Sequence, residues 1–556
     1  MIISFEQSPE SFYKLALAAL DRGELRQALV YCENAVNGKG NVEYKLTLAD
    51  IYLRMGRQYE AMDVALGVIA SGSEGKSEAY DLMARATGVT GKLYESVYYV
   101  TEKARLDGDE DALDAMDEMM EEMASGFESE PKPKKGELFL VGKEPEKDYA
   151  EEIDRALGLM RVREYDRALE ILLQVKPTSE YYPEAMDFAL RCYVKKGDVE
   201  TSHRLAKEAV EREPQDAFAL YVLVGVCKEK EYLPLLEKVD GEASELYYAV
   251  AAADAVKEYA LGRSLAAKLL RKAPYAPETY FVAAGVHYNA GERAAGEAVL
   301  KDLFSFYREY PASVILKGLK SKKRYDVMYN GMMPEAIITV LRTYVRKHAA
   351  NADAFLQSML TDADFRKCLT ILFRLDDDEV VGNAVSFLGE LRNKELDRFF
   401  DALLLRASLS PMTKREILAE RLLAKHKGKL TVVPSALPMT ISCRKPEHYA
   451  EYPVILQEAY VDALSFGACV MDVRLAKPLA SYAEACYRSF PILGRVKGVE
   501  LTVALFCLSM PEPDIPMPDG MTAYMTSQIF GLSKKEIARV VKLMDLIRAL
   551  EPEERP

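Results

Sequence analysis

LALAALDRGELRQALVYCENAV begins at Leu15 and LADIYLRMGRQYEAMDVALGVI begins at Leu48. Laid over one another, the two stretches place Gly23 on Gly56, 33 residues apart, and Ala28 on Ala61, each five residues past its glycine. A third unit runs from Tyr80 through Ala84 to Gly91. After a break the pattern returns at Tyr165 and Ala168, then at Gly197, 34 residues beyond Arg163, in a unit closing with Ala206, Ala209 and Pro214. A degenerate unit follows, then one ending AAKLLRKAP at Pro274, then one carrying Tyr280, Ala284 and Gly291. Each unit reads as two amphipathic helical stretches of about 13 residues joined by a turn. The glycine takes a backbone conformation that a side chain opposes. Small residues (Ala16, Ala49, Ala84, Ala156 and Ala284 in first helices; Ala28, Ala61 and Ala168 in second helices) let the paired helices approach closely. One such hairpin cannot bury its apolar face alone, so neighbours must stack.

Over residues 9–106 and 148–311 this pattern resembles the tetratricopeptide repeat family: large–Leu–small–Tyr in the first helix, Gly at the turn, Ala early in the second helix and Pro at the exit. The chain departs from it in lacking Trp, in placing Ser202 and Gly296 where the second-helix Ala belongs, and in having no turn Gly around Ala217–Lys238. The resemblance implies that first helices line a concave face and that this face binds a protein or peptide segment. In register, the groove-facing positions are Tyr13, Asp50, Arg54, Asp81, Arg85, Asp187, Arg191, Lys195, Phe281 and Asn289. The recurring Asp50/Arg54, Asp81/Arg85 and Asp187/Arg191 pairs read either as i, i+4 ion pairs worth ~0.2–0.5 kcal/mol each or as a polar ladder for a peptide backbone or carboxylate. The Lys/Asn set with which some members of the family clamp a C-terminal carboxylate is absent from the matching positions.

The expected architecture is all-α: a tetratricopeptide-like solenoid, then irregular helical repeats, then a C-terminal helical bundle with one short β-hairpin. Its expected divisions are a first repeat block (1–106), an acidic helix and flexible linker (107–147), a second repeat block (148–311), an irregular helical region (312–428) and a hairpin plus helical domain (429–556). Strand signals are confined to KLTVV (429–433) and MTISC (439–443), separated by PSALP. Within the linker, Met116, Met119, Met120 and Met123 form either an adaptable docking strip or ordinary packing against the adjoining hairpin. LKGLKSKKR (316–324) reads as a charged helix end or as a contact for phosphate or an acidic partner.

Composition narrows the function classes. Of 556 residues, 49% are hydrophobic and 29% charged, which excludes wholesale disorder. The net charge of −14 disfavours a nucleic-acid coat, and the eleven carboxylates between Asp107 and Glu130 supply most of it. No uninterrupted apolar run reaches the length of a membrane span, and MIISFEQSPESFY lacks the charged and apolar regions of a secretory signal. Eight scattered cysteines with no CxxC read as reduced thiols of a cytoplasmic protein.

Signatures of chemistry are missing. GVTGKL (88–93) has two residues between its glycines, not the four a phosphate-cradling loop requires. There is no HExxH, and Cys443 with His448 alone makes a poor zinc site. Asp376–Glu379 lacks calcium-loop spacing and reads as a helix N-terminus. No cofactor, no metal and no catalytic residue is expected.

The last hundred residues faintly resemble a cyclin-box repeat, and TSQIFGLSKKEIARVVKLM (526–544) resembles a helix-turn-helix, with Ser533 capping a second helix that carries Lys534, Lys535, Arg539 and Lys542. The leading expectation is therefore a non-enzymatic scaffold or adaptor. The alternative is a transcription-associated regulator touching DNA through that basic helix.

Overall fold

The computed structural model describes residues 8–38, 40–72, 74–116, 149–161, 164–320, 324–325, 327, 333–375, 377–391, 393–423, 428–442, 445–470, 475–490, 496–510 and 532–550. They divide into two compact units, Met1–Glu122 with Leu341–Pro556, and Met123–Val340.

The first unit opens with three helix hairpins: α1 (Pro9–Asp21) and α2 (Leu25–Gly38), α3 (Val42–Arg54) and α4 (Gln58–Ala70), α5 (Lys76–Val89) and α6 (Leu93–Asp107). The second unit continues with α7 (Ala150–Arg161) and α8 (Tyr165–Leu172), then α9 (Tyr182–Lys196) and α10 (Val199–Arg212). A short helix α11 (Ala217–Leu220) runs into a π-helical turn at Tyr221–Val226. Two more hairpins, α12 (Ala243–Ala255) with α13 (Tyr259–Lys272) and α14 (Pro277–Asn289) with α15 (Arg293–Phe306), precede α16 (Ala312–Leu319).

One turn chemistry recurs. Gly23, Gly56, Gly91, Gly197 and Gly291 all have φ between +73° and +84°. At each, the glycine amide donates three residues back and the next amide donates five residues back, as in Gly23 N to Leu20 O and Glu24 N to Ala19 O. That pair of bonds satisfies carbonyls the helix end leaves open. The α12/α13 turn makes the same bonds without a glycine, since Lys257 takes φ +64° and its amide donates to Asp254 O while that of Glu258 donates to Ala253 O. Lys228 (φ +67°) adopts this conformation in the degenerate unit, where no glycine is available. Five residues past each of these turns except the one at Lys228, where Leu233 stands, a small residue is found: Ala28, Ala61, Ser96, Ser202, Gly262 and Gly296. Space explains the choice, because a Cβ on Gly296 would lie 2.7 Å from the Tyr288 ring. The repeat architecture is tetratricopeptide-like.

The remainder of the first unit is helical too. It begins within α17 (Glu335–His348), at Leu341, and runs through α18 (Ala352–Thr361), α19 (Ala363–Arg374), α20 (Asp378–Glu390), α21 (Lys394–Leu404) and α22 (Pro411–Leu423). Asp377 caps α20, accepting from Val380 N at 3.2 Å, so the acidic run there is a helix N-terminus. Strands β1 (Lys429–Val432) and β2 (Met439–Ser442) pair antiparallel, Leu430 opposite Ile441. The C-terminal helices are α23 (Val454–Cys469), α24 (Ala476–Arg488), α25 (Gly498–Ser509) and α26 (Lys534–Leu550), with Phe466 edge-on to Phe506 in their core.

The hairpin loop between β1 and β2 packs on α4 and α6, the second helices of the second and third repeats. Val433, Ala436 and Ala407 share one buried cluster with Ala61, Met62, Ala65, Met83 and Tyr99. Tyr99 donates its hydroxyl to Ala436 O at 2.7 Å, Lys92 Nζ donates to Ser435 O at 3.0 Å, and Asp63 accepts from Ala407 N at 2.6 Å. Lys414, fully buried in α22, donates to the carbonyls of Val433 and Pro434. Residues about 340 apart in sequence thus close one core.

Candidate functional site

With α4 and α6 covered by the hairpin loop, the first helices of the N-terminal block remain open. α1, α3 and α5, joined by Lys103 of α6, line a groove of about 670 Å³. Leu17, Leu20, Leu46 and Leu82 supply apolar lining, and Asp50, Arg54, Asp81 and Arg85 supply charge. Helical spacing places Asp50 and Arg54 one turn apart on α3, and Asp81 and Arg85 likewise on α5. Asp50 accepts from Arg54 Nε at 2.7 Å within its own helix and from Arg85 of the next repeat at 3.2 Å. Arg85 also stands 3.6 Å from Asp81. Both arginines are half exposed, 54% and 50%, so each pair contributes ~0–1 kcal/mol to stability. At the rim, Lys103 and Ser77 both bond Asp107 and hold its carboxyl below the usual range. Tyr13 lies at the α1 end of this face: its hydroxyl bonds Glu43 (3.1 Å) and Thr47 (3.0 Å), its ring rests 4.3 Å from that of Tyr44, and burial raises its pKa.

In the second unit the expected groove positions part company. Asp187 and Arg191 do not pair as the first two Asp/Arg sets do. Asp187 bonds Arg212 of α10 at 3.0 Å, and burial with the nearby Asp216 carboxylate raises its pKa. Arg191 instead lies 4.2 Å over the Phe218 ring and donates to the Tyr248 hydroxyl at 3.0 Å, because aromatic faces from the next two repeats reach it first. Lys195 is exposed. Phe281, expected on the open face, is instead fully buried and edge-on to Tyr310, since α14 is enclosed on almost all sides. Asn289 is half-buried and committed within the chain: its side chain bonds Asp254 at 2.9 Å and both backbone groups of Tyr325.

The basic-helix alternative meets a similar correction. Arg539 is spoken for by Glu500, whose Oε1 takes its Nε and Nη2 at 2.9 and 2.6 Å. Lys497 and the bonds from Ser533 hold the Glu536 carboxyl down at about 2, so a carboxylate sits on that face at all ordinary pH. Lys535 and Lys542 are exposed. The side chain of Lys534 and the first helix of the proposed helix-turn-helix, up to Gly531, lie outside the described residues, as do Cys443, Met119, Met120 and Met123.

Among the described residues no group of His, Cys, Asp and Glu is arranged to hold a metal ion, and no helix is long and apolar enough to cross a membrane. Among the described cysteines Cys32, Cys192, Cys227, Cys368, Cys469 and Cys486 are free thiols, and burial pushes those of Cys32, Cys469 and Cys486 up to about 12.

No family model matches the chain, and no curated protein does. Among solved structures, yeast Tom70 aligns over 97% of this chain and 97% of its own at 12% identity, with a TM-score of 0.25. The APC/C hetero-tetramer Cut9–Hcn1 aligns over 90% of this chain and 96% of its own at 10% identity, TM-score 0.25. The P58(IPK) TPR domain aligns over 66% and 99% at 14% identity, TM-score 0.17. Superpositions this loose carry nothing about function, and the repeat assignment rests on the turns and small residues described above.

Proposed function

We propose that the chain is a non-enzymatic scaffold that holds a protein segment along the first helices of its N-terminal repeats. The observation that carries this reading is the open groove between α1, α3 and α5, where apolar leucines alternate with half-exposed charges already arrayed across two repeats. Such a surface is formed before the partner arrives, which spares much of the ordering cost of binding. Its ion pairs are weak enough that Arg54 and Arg85 exchange their carboxylates for those of a partner at little expense in stability. The free buried thiols favour a reducing compartment, so the cytoplasm is the proposed setting.

The test is recovery of partners from the native host on the full-length chain and on its Arg54→Glu/Arg85→Glu variant, with helical circular dichroism as the control. The groove reading expects specific partners to be lost from the variant while the dichroism is unchanged. Identical recovery on both baits rejects it.

A further inference from the structure

The first helices of the second unit carry an occupant from their own chain. After α16, Arg324, Tyr325 and Val327 lie in neither helix nor strand against α12 and α14. Asn289 gives its amide nitrogen to Tyr325 O (2.7 Å) and accepts Tyr325 N on its oxygen (2.8 Å), the two-bond pairing that one strand offers another. Tyr247 donates to Val327 O at 3.2 Å. The side chains are read as well. Arg324 reaches Asp254, a carboxylate only 5% exposed, at 3.5 Å. The Tyr325 ring stacks on Tyr288 at 5.8 Å and 8° and fits over Gly285, where a Cβ would come within 2.6 Å of it. Val327 joins the apolar cluster of α12–α14.

The fit is incomplete. The hydroxyls of Tyr288 and Tyr325 are both buried with no hydrogen-bond partner among the described residues. An unsatisfied buried hydroxyl is a standing penalty on the seated state, and short segments held by few bonds open locally more readily than helices do.

We propose that this face of α12 and α14 is a recognition surface for a partner's extended segment of the form basic–aromatic–x–aliphatic, and that Arg324, Tyr325 and Val327 are a built-in occupant which such a segment displaces. Asp254 selects the basic residue, the Gly285–Tyr288 shelf the aromatic ring and the α12–α14 cluster the aliphatic one, while Asn289 grips the backbone regardless of sequence. This inference concerns a different face from the N-terminal groove and stands or falls separately from it.

The test uses full-length protein and a fluorescent peptide with the sequence of residues 320–329, read by anisotropy. Tyr325→Ser unseats the internal segment and is expected to bind the peptide saturably. Wild type, if it keeps its own segment seated more than about nine-tenths of the time, binds at least about tenfold more weakly. Adding Asn289→Ala to Tyr325→Ser is expected to abolish binding. Equal affinity for wild type and Tyr325→Ser, no saturable binding to Tyr325→Ser, or binding that survives Asn289→Ala overturns the proposal. If Tyr325→Ser loses its helical dichroism, hydrogen exchange on the wild-type chain decides. Amides of Tyr325 and Val327 that exchange faster than those of α12 and α14 support displacement. Exchange only in step with those helices marks a purely structural segment and overturns it.

Discussion

Lys414 offers the sharpest check on how the hairpin loop is held. It is fully buried, its ammonium faces the carbonyls of Val433 and Pro434, and burial pulls its pKa from 10.5 down to about 8. The Cys469 thiol and Asp63 oppose that shift and Lys92 adds to it, but desolvation dominates. Because the folded pKa lies below the unfolded one, the unfolded chain binds the extra proton between the two values, and stability rises with pH across that window. Below about pH 8 the full penalty applies, on the order of 3 kcal/mol for a shift of this size, and above about pH 10.5 it is gone. Lys414→Met removes the titration while keeping most of the volume. Measured by urea unfolding under circular dichroism, wild type should gain about 2 kcal/mol on Lys414→Met between about pH 7 and about pH 9.5. Buried tyrosines and cysteines titrate in the same range, but they are common to both chains and cancel in the difference. A gap that stays constant over that range would refute the reasoning, since it would mean that the two carbonyls solvate the ammonium as well as water does.

Three further outcomes follow from individual contacts. Tyr99→Phe removes the bond to Ala436 O in a buried site and should destabilise the first unit by ~1–3 kcal/mol, read as a shift of its urea midpoint. Lys257→Gly relieves a left-handed residue in a turn whose bonds are already those of its glycine counterparts, and should stabilise the second unit by ~1 kcal/mol in thermal unfolding. Gly296→Leu forces a side chain into the Tyr288 ring and should lower the melting temperature by an amount equivalent to ~1–3 kcal/mol or more, whereas Val89→Leu at an exposed position should do almost nothing.

What the sequence reveals and what it conceals divide along contact range. The helix hairpins were legible because each rests on local chemistry: a turn glycine, a small residue five positions on, and an amphipathic period. Even the exception at Lys257 obeys the same geometry, standing in for glycine at a conformational price, while Lys228 shares only the positive φ. The short hairpin at residues 429–442 was legible from its alternating apolar residues. Side-chain exposure was less so. Asp50 and Arg54 line the open N-terminal groove, whereas Phe281 is buried, because nothing in the repeat pattern reports how deeply α14 is enclosed.

The contacts that sequence did not disclose are those in which one part of the chain serves as another's ligand. Tyr99 meets Ala436 across 337 positions, and Asn289 meets Tyr325 across 36, through a backbone bond that leaves no trace in the identity of the residue it grips. One signal was present: Asp254 interrupts the otherwise apolar run of α12 and is buried, and a buried carboxylate demands hydrogen bonds or a cation from elsewhere. Arg324, in a basic stretch that reads as a charged helix end, is one group that answers it. The two halves of that pair are each unremarkable in sequence, and only their juxtaposition shows that the repeats bind a segment of their own chain in the manner proposed for a partner.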